Sequence, residues 1–572
     1  MEAASLGGTI ARIVGNIEPG HRAIRCGKLQ PGKYDIVMPL MRTVVQRRLM
    51  GRPRRQGGLG RRSARVSDDM NPGQRLDERL DIVQTESTPI HAGTKHMTQV
   101  EMSYDALSKA AMADGPRETV PLLAELGRFV ASTDLSVIPA DAWHQAKLCI
   151  LDTIGCMVLG AQTPDVEPIL AAERAASDRH EAHVYGSRIR LSAAAAARVN
   201  GYLGDIFELN DLIGAHASIA SVTTGLAVAE AEGCSGAQLL KAVICGIETT
   251  SRIHAAFRTD LKPYPDIGNA YVGFINTLGS AAVAASLLDL NALETSEALA
   301  VAGALAGWCP AEAIFRDGGT VKPLLFGGWP ASVGILGARY AQRGLSGPGR
   351  LLEGELGFFR AVALRFDAEA IRSPGKWFVA EPRRKIHACC GYIHPAIDLV
   401  VKLRQEKGKE IFRGTEIRIA MNPTIIPAVA KGRPPATPNE ARFHAGYCVA
   451  LAAAGADIVL PTHSTAYAEF LADPAIREFM NSVRTVSQPA FKHYQECAVE
   501  LVAADGTVVA HASGSTPKGS PGNPLSDEEV VAKFRRSTSG QVIGGPATEA
   551  YVARVLSLES ETTCRWLATS LV

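Results

Sequence analysis

No stretch of this chain is both apolar and long enough to cross a bilayer. The longest apolar runs are Ala298–Cys309 and Pro323–Ala338. A helical span needs about 20 residues, and the second run is interrupted by Pro323 and Pro330. The eleven cysteines contain no C-x-x-C pair, so zinc ribbons and thioredoxin-type chemistry lack their signature. The usual iron–sulfur spacings are missing too. Scattered thiols, with Cys149, Cys156, Cys245 and Cys448 in apolar helix-like stretches, predict reduced cysteines in a cytosol-like compartment. There is no P-loop, no G-x-G-x-x-G after a strand, no G-x-S-x-G elbow and no H-E-x-x-H. Nucleotide, nucleophile-elbow and zincin chemistry therefore have nothing to rest on.

At 572 residues the chain exceeds one core and predicts two or more domains. With 46% hydrophobic and 21% charged residues it belongs with soluble globular proteins. Net charge is +2, unevenly spread. Residues 1–66 hold fourteen Arg and Lys against Glu2, Glu18 and Asp35, a net of +11 that leaves −9 on the rest. A mildly acidic body argues against nucleic-acid binding, and an anionic substrate would need a local cationic pocket.

Residues 1–116 show no sustained helix or strand period, and Gly51-Arg-Pro-Arg-Arg-Gln-Gly-Gly-Leu-Gly-Arg-Arg62 is typical of them. Such a segment buries too little apolar surface to offset its ordering entropy, so a disordered basic extension is expected. Three readings stay open: an Arg-rich transit peptide, a basic arm, or a start that belongs at Met97, Met102 or Met112. No catalytic residue is expected there.

Organisation begins at Glu118. Leu122, Leu123, Leu126, Phe129 and Val130 recur at helical spacing, as do Ala146, Cys149, Ile150, Thr153, Ile154, Met157 and Val158. Further helices are predicted over Ser192–Tyr202, Ser218–Glu232, Ser235–Ile253, Thr277–Leu288 and Thr295–Ala306, rich in Ala and Gly for close packing. This half reads as all-α. Past Lys322, Glu416–Met421 alternates like a strand, and Glu496–Ala503 and Thr507–Ala512 flank a D-G turn as a β-hairpin. Helices are expected at Pro395–Glu406 and Asn439–Ala453 between them, and again at Asp527–Phe534 and Ala547–Leu558. The fold class is mainly α: an all-helical domain (117–318 and 520–572) with a smaller α+β domain (319–519) inserted late.

Three loops mix acids, histidines and a lysine. In Phe207-Glu-Leu-Asn-Asp-Leu-Ile-Gly-Ala-His216, Glu208 and Asp211 would share a face if helical, and His216 stands just before a helix, where its pKa is pushed down. The alternative is a capped structural loop. Lys322 is a single lysine in the apolar, Gly-rich stretch Thr320–Pro330, costly to bury unless it meets an anion, and otherwise free to snorkel. Lys385-Ile-His-Ala-Cys-Cys-Gly-Tyr-Ile-His-Pro-Ala-Ile-Asp398 carries His387 and His394, while Cys389 and Cys390 read as packing residues.

The run Cys389–Asp398 resembles the C-C-x-x-T-H-P-A-I-D segment of the MmgE/PrpD family, which includes 2-methylcitrate dehydratase and cis-aconitate decarboxylase. Leu126-Gly-Arg-Phe-Val130, Leu151-Asp-Thr-Ile-Gly155, Asn200-Gly201, Glu208–Asp211 with His216, Lys322-Pro-Leu, Gly328-Trp329 and Leu352–Arg360 resemble the family's other motifs in order. The resemblance implies an all-helical domain with a smaller α+β lid, a homodimer, and cofactor-free, metal-free chemistry on a small di- or tricarboxylate. It places Glu208 and Asp211 on the family's acidic loop and His216, Lys322 and His394 on its active-site histidine, lysine and lid histidine; we expect His216, Lys322, His394 and Asp211 to be catalytic, and Glu208, Lys385 and His387 to bind substrate. Departures are Glu208 for an Asp, Ala217 for a Pro, Leu325 or Phe326 for a histidine after the lysine, and Gly391 for an Arg.

Proton removal alpha to a carboxylate needs a base and fixed positive charge. The expected roles are His216 as base or acid, oriented by Asp211, and Lys322 on the substrate carboxylate. His394 would be the second proton carrier, and Glu208 would hold a hydroxyl or water. A 2-methylcitrate dehydratase-like hydro-lyase is the first reading. A decarboxylase or epimerase, or a non-catalytic carboxylate-binding protein, are the alternatives. A cytoplasmic location is expected, or an organelle if the extension is a transit peptide, with no membrane and no nucleic-acid partner for the body.

Overall fold

Helices dominate residues 120–315, 320–539 and 544–571, which are those the computed structural model describes. The expected disorder of 1–116 lies outside them. Helix α1 (Leu122–Ser132) buries Leu122, Leu123, Leu126 and Val130, the face its spacing predicts. Helix α2 (Ala140–Gly160) is buried almost all round, Lys147 and Asp152 included, as suits a central helix. The first half is not purely helical: β1 (Ala182–His183) pairs antiparallel with β2 (Arg190–Leu191). Two-residue strands are too short to show a period, which is why they escaped the sequence reading.

Helices α3 (Ala193–Asp205), α4 (Ala217–Glu232), α5 (Gly236–Phe257), α6 (Val272–Leu287), α7 (Ala292–Leu305) and α8 (Trp329–Ala341) follow. Their ends obey local chemistry. Ser235 with Gln238, and Asn291 with Glu294, form capping boxes, and Gly233 (φ +73°) stops α4. Small residues bring α6 against its neighbours: a Cβ on Gly279 would come within 2.0 Å of Thr250 Oγ1, and one on Gly334 within 2.4 Å of Ser280 Cβ.

A second core surrounds a four-stranded sheet of β3 (Glu416–Met421), β4 (Val483–Ser487), β5 (Cys497–Val502) and β6 (Val508–Gly514). Its order is β4-β3-β5-β6, with β4 parallel to β3 and the other pairs antiparallel. The hairpin turns at Gly506 (φ +87°). Ile417, Ile419 and Met421 point into the core with α9 (His394–Lys407), α10 (Ala445–Ala454) and α11 (Pro474–Ser482). The helix expected over Asn439–Ala453 is broken, because His444 caps α10 by accepting from the Tyr447 N–H at 3.0 Å. Strand β4, with no clean alternation of burial, was not foreseen.

Helices α12 (Asp527–Thr538) and α13 (Pro546–Leu556) return to the helical core, where Phe534 and Val555 join Ile150 and Ile154. The ring of Phe534 sits where Gly155 leaves space, its Cδ2 3.1 Å from where a Cβ would be. Among the described residues no single helix is long and apolar enough to cross a membrane.

Candidate active site

The segment between α3 and α4 is a loop with a demanding backbone. Glu208 (φ +53°), Ala215 (φ +61°) and His216 (φ +70°) are left-handed without being glycine, beside Gly214 (φ +47°). Each such residue costs roughly 1–2 kcal/mol, so the loop needs outside support. Four distant groups provide it. Arg442 Nη1 donates to Ile206 O at 2.5 Å, Lys533 Nζ to Leu209 O at 2.7 Å, the Leu212 N–H to Arg383 O at 2.6 Å, and Asn276 Nδ2 to His216 O at 3.2 Å. Lys533 is itself buried and paired with Asp152 of α2 at 2.7 Å. The loop is thus held by both cores and by α12.

Lys322 arrives through backbone contact. Leu324–Gly328 form a single π-helical turn before α8, and Gly327 and Gly201 of α3 leave no room for a Cβ between them. One on Gly201 would lie 2.5 Å from Gly327 C. That approach sets Lys322 Nζ 2.8 Å from Asp205 Oδ2 and also bonds it to Glu208 Oε1. The second oxygen of Glu208 takes Lys385 Nζ at 2.8 Å. All four side chains are buried, so two ammonium groups and two carboxylates form one network with balanced charge. Burial pushes Lys322 down to about 8, against the pull of Asp205, and lowers Lys385 as well. Burial also raises Asp205, which Lys322 partly restores.

His216 stands beside this network. Phe326 lies 4.5 Å below the Lys322 ammonium and 5.4 Å from the His216 ring, centre to centre. With Leu325, it is one of the two residues that stand where the resemblance implies a histidine. Burial, then Lys385 and His254, hold His216 well below its ordinary 6.5, so the imidazole is neutral at pH 7. Its Nδ1 lies 3.2 Å from Asn210 Nδ2. An amide nitrogen only donates, so Nδ1 is the acceptor and the ring proton sits on Nε2. Among the described residues, Asp205 Oδ1, Asn210 Oδ1 and Asn276 Oδ1 are buried without a partner.

The structure therefore brings together Glu208, Lys322, Lys385 and His216, and gives the other three expected groups different partners. Asp211 does not orient His216. It accepts from the Ile213 N–H at 3.3 Å, and the left-handed turn at Glu208 sends the two acids to different partners instead of one helical face. His387 has both ring nitrogens engaged, Nε2 with Asp398 at 3.0 Å and Nδ1 with the Val459 N–H at 3.2 Å, the pattern of a structural histidine. His394 opens α9, bonds Cys389 O through Nε2 at 3.3 Å, and packs edge-on against His387 at 4.9 Å. Burial, with His387 and Lys385, holds it well below 6.5. Gly391 also has a physical reason: a Cβ there would lie 2.6 Å from Leu212 Cδ1 and 3.6 Å from Lys385 Cε, so Leu212 fills the space an arginine would need.

Sequence reasoning passed over Asp205, Asn210 and Asn276. Asp205 was legible in principle, as the one acid on an otherwise Ala- and Gly-rich helix. Asn210 lay inside the acidic loop, where attention went to the charged residues on either side.

The MmgE/PrpD N-terminal domain model matches residues 124–370, and the MmgE/PrpD C-terminal domain model residues 387–555. Among curated proteins, the chain is similar to the cis-aconitate decarboxylase-like protein oryM of Aspergillus oryzae, with 25% identity over 471 residues covering 76% of this chain and 94% of that one. It is similar to cis-aconitate decarboxylase of Homo sapiens, 28% identical over 448 residues (75% and 90%), and of Mus musculus, 27% over 441 residues (74% and 87%).

Proposed function

The chain belongs to the MmgE/PrpD family, and we propose that it is a lyase that decarboxylates a small unsaturated di- or tricarboxylate of the cis-aconitate type. The relatives named as cis-aconitate decarboxylases support the reaction class. The observation that carries the reading is the Asn210–His216 contact, which turns a neutral imidazole into an Nε2–H donor. In decarboxylation of a β,γ-unsaturated acid, the C–C bond to the departing carboxylate breaks and its electron pair moves through the alkene. The carbon beside a retained carboxylate then takes a proton as carbon dioxide leaves. Such a reaction asks for a donor and fixed positive charge where the carbanion forms. His216 is the donor in this reading. Lys322 and Lys385 hold the retained carboxylate, and Glu208 between them keeps both ammonium groups in place.

A second reading, dehydration of a hydroxy acid such as 2-methylcitrate, is favoured by the unpaired Asp205, Asn210 and Asn276 oxygens, acceptors that a substrate hydroxyl would satisfy. The arrangement we propose is a mainly helical domain under an α+β lid that closes over His216. We further propose a homodimer in which a second copy covers exposed Leu305, Trp308 and Trp329. Incubating the purified chain with cis-aconitate, 2-methylcitrate and citrate, and following carbon dioxide and alkene signals, tests the reading. Carbon dioxide from cis-aconitate supports it. Water loss from a hydroxy acid without carbon dioxide selects the second reading.

A further inference from the structure

The Lys322–Glu208–Lys385–Asp205 network carries balanced charge, and residues 67–572 are net negative. Lys322 and Lys385 are already assigned to one retained carboxylate and are offset by Asp205 and Glu208, so the remaining carboxylates of a di- or tricarboxylate need positive charge elsewhere. Outside that network several polar side chains are half-buried instead of sealed: His254, Tyr271, Arg383, His493 and Tyr494, while exposed Arg258 caps α5 one turn after His254. Arg383 Nη1 donates to the neutral Gln495 Oε1 at 2.8 Å. Among the described residues neither Arg383 nor Arg258 has a carboxylate within ion-pair distance. The Gln495 N–H bonds His493 Nδ1 at 3.2 Å, and His254 Nε2 lies 3.2 Å from the Tyr271 hydroxyl. Arg383 is tied by its own carbonyl to Leu212 in the catalytic loop.

We propose that Arg383 and Arg258, with His254 and His493 beside them, form a second anion site that holds the substrate carboxylate farthest from the reacting carbon, an inference that rests on the carboxylate-lyase reading above. The same groups also act on one another electrostatically. Burial and then Arg258 and Arg383 push His254 down to about 3. Burial, Arg383 and Arg258 push His493 down to about 4, with Glu496 alone opposing. Two guanidinium groups acting on both imidazoles make a field that an anion would relieve. Arg258 also borders a groove of about 690 Å³, where Asp260 is already paired with Arg365 at 2.8 Å.

The test is calorimetric titration of the full chain with propane-1,2,3-tricarboxylate, which has no alkene to react, and with methylsuccinate as the dicarboxylate. Wild type is expected to bind the tricarboxylate more tightly. Arg383→Gln and Arg258→Gln should each weaken it about 10-fold or more, with methylsuccinate changed less than about 3-fold, and Arg383→Lys should recover part of the loss. Equal weakening of both ligands, or unchanged tricarboxylate binding in either variant, overturns the proposal. So does wild type that binds neither. Should Arg383→Gln lower the melting temperature, the exposed Arg258→Gln decides. Binding of an unreactive ligand does not depend on which bond breaks, so failure to release carbon dioxide would count against the lyase reading and not against this site.

Discussion

Asn210 donates to Nδ1 of His216 across 3.2 Å and thereby sets which nitrogen of the imidazole carries the proton. The contact exists because three non-glycine residues of the same loop take left-handed backbone, folding residue 210 back over residue 216. A carboxylate in the same place would reverse the tautomer, since it accepts where the amide donates.

Asn210→Asp is the direct consequence. It should put the proton on Nδ1, raise the His216 pKa, and lower kcat by about 10²-fold, the lower end of what a positioned acid contributes. KM should move less, because the lysines that hold the substrate are untouched. A pH–rate profile checks it: in the variant Nε2 carries a proton only when the ring is charged, so kcat should be highest at low pH and fall as pH rises through the raised His216 pKa.

The wild-type profile has its own shape. His216 is neutral well above its depressed pKa, so kcat should be flat through the slightly acidic range. It should fall as pH rises through about 8, where Lys322 loses the proton that binds substrate. Lys322→Met should abolish turnover at every pH. It should also cost stability, roughly 3–5 kcal/mol for stripping one partner from a buried ionic network.

Gly201→Ala tests how Lys322 is delivered. The new methyl would meet the Gly327 backbone at 2.5 Å, a contact no rotamer can relieve. We expect a lower melting temperature and reduced kcat together. The neighbouring Ala197→Gly, one turn earlier on α3, should cost stability without the same loss of turnover.

Much of this fold was legible because its helices carry clean periods and caps. Ser235 and Gly233 mark ends that the structure keeps, whereas the helix expected from Thr295 starts three residues earlier at Ala292, behind an Asn291 cap. The α6 start at Val272, five residues before the expected Thr277, was hidden by the uniformly small, apolar sequence around it. The site was legible as a set of residue types and not as a set of contacts. Lys322 announced itself as a lysine in apolar surroundings. Its partner Asp205 did not, because only the glycine contact between α3 and the π-turn brings them together. Asp211 and His387 drew attention as titratable residues, yet the first serves the turn and the second the link from α9 to Val459.

Glu248 gives a stability signature away from the site. Burial pushes its carboxyl up to about 7, although the Val379 N–H donates to it at 3.0 Å and Arg252 lies 3.6 Å away. The folded chain then binds a proton the unfolded chain releases near pH 4.5, so this contribution is full at low pH and lost as pH rises through about 7. Relative to wild type, Glu248→Gln should change the melting temperature little below pH 4.5. It should become progressively the more stable of the two as pH approaches 7. Thermal melts of the pair across that range measure the difference.

The central claim, a decarboxylation completed by proton delivery to carbon from His216, is tested most directly by NMR of cis-aconitate turnover in deuterium oxide, with wild type and His216→Gln. The account predicts carbon dioxide release and a product with one deuterium, on the carbon beside a retained carboxylate, and at least about 10²-fold slower formation in the variant. Carbon dioxide release at an undiminished rate in His216→Gln, or deuterium entering the substrate with no carbon dioxide lost, would contradict it.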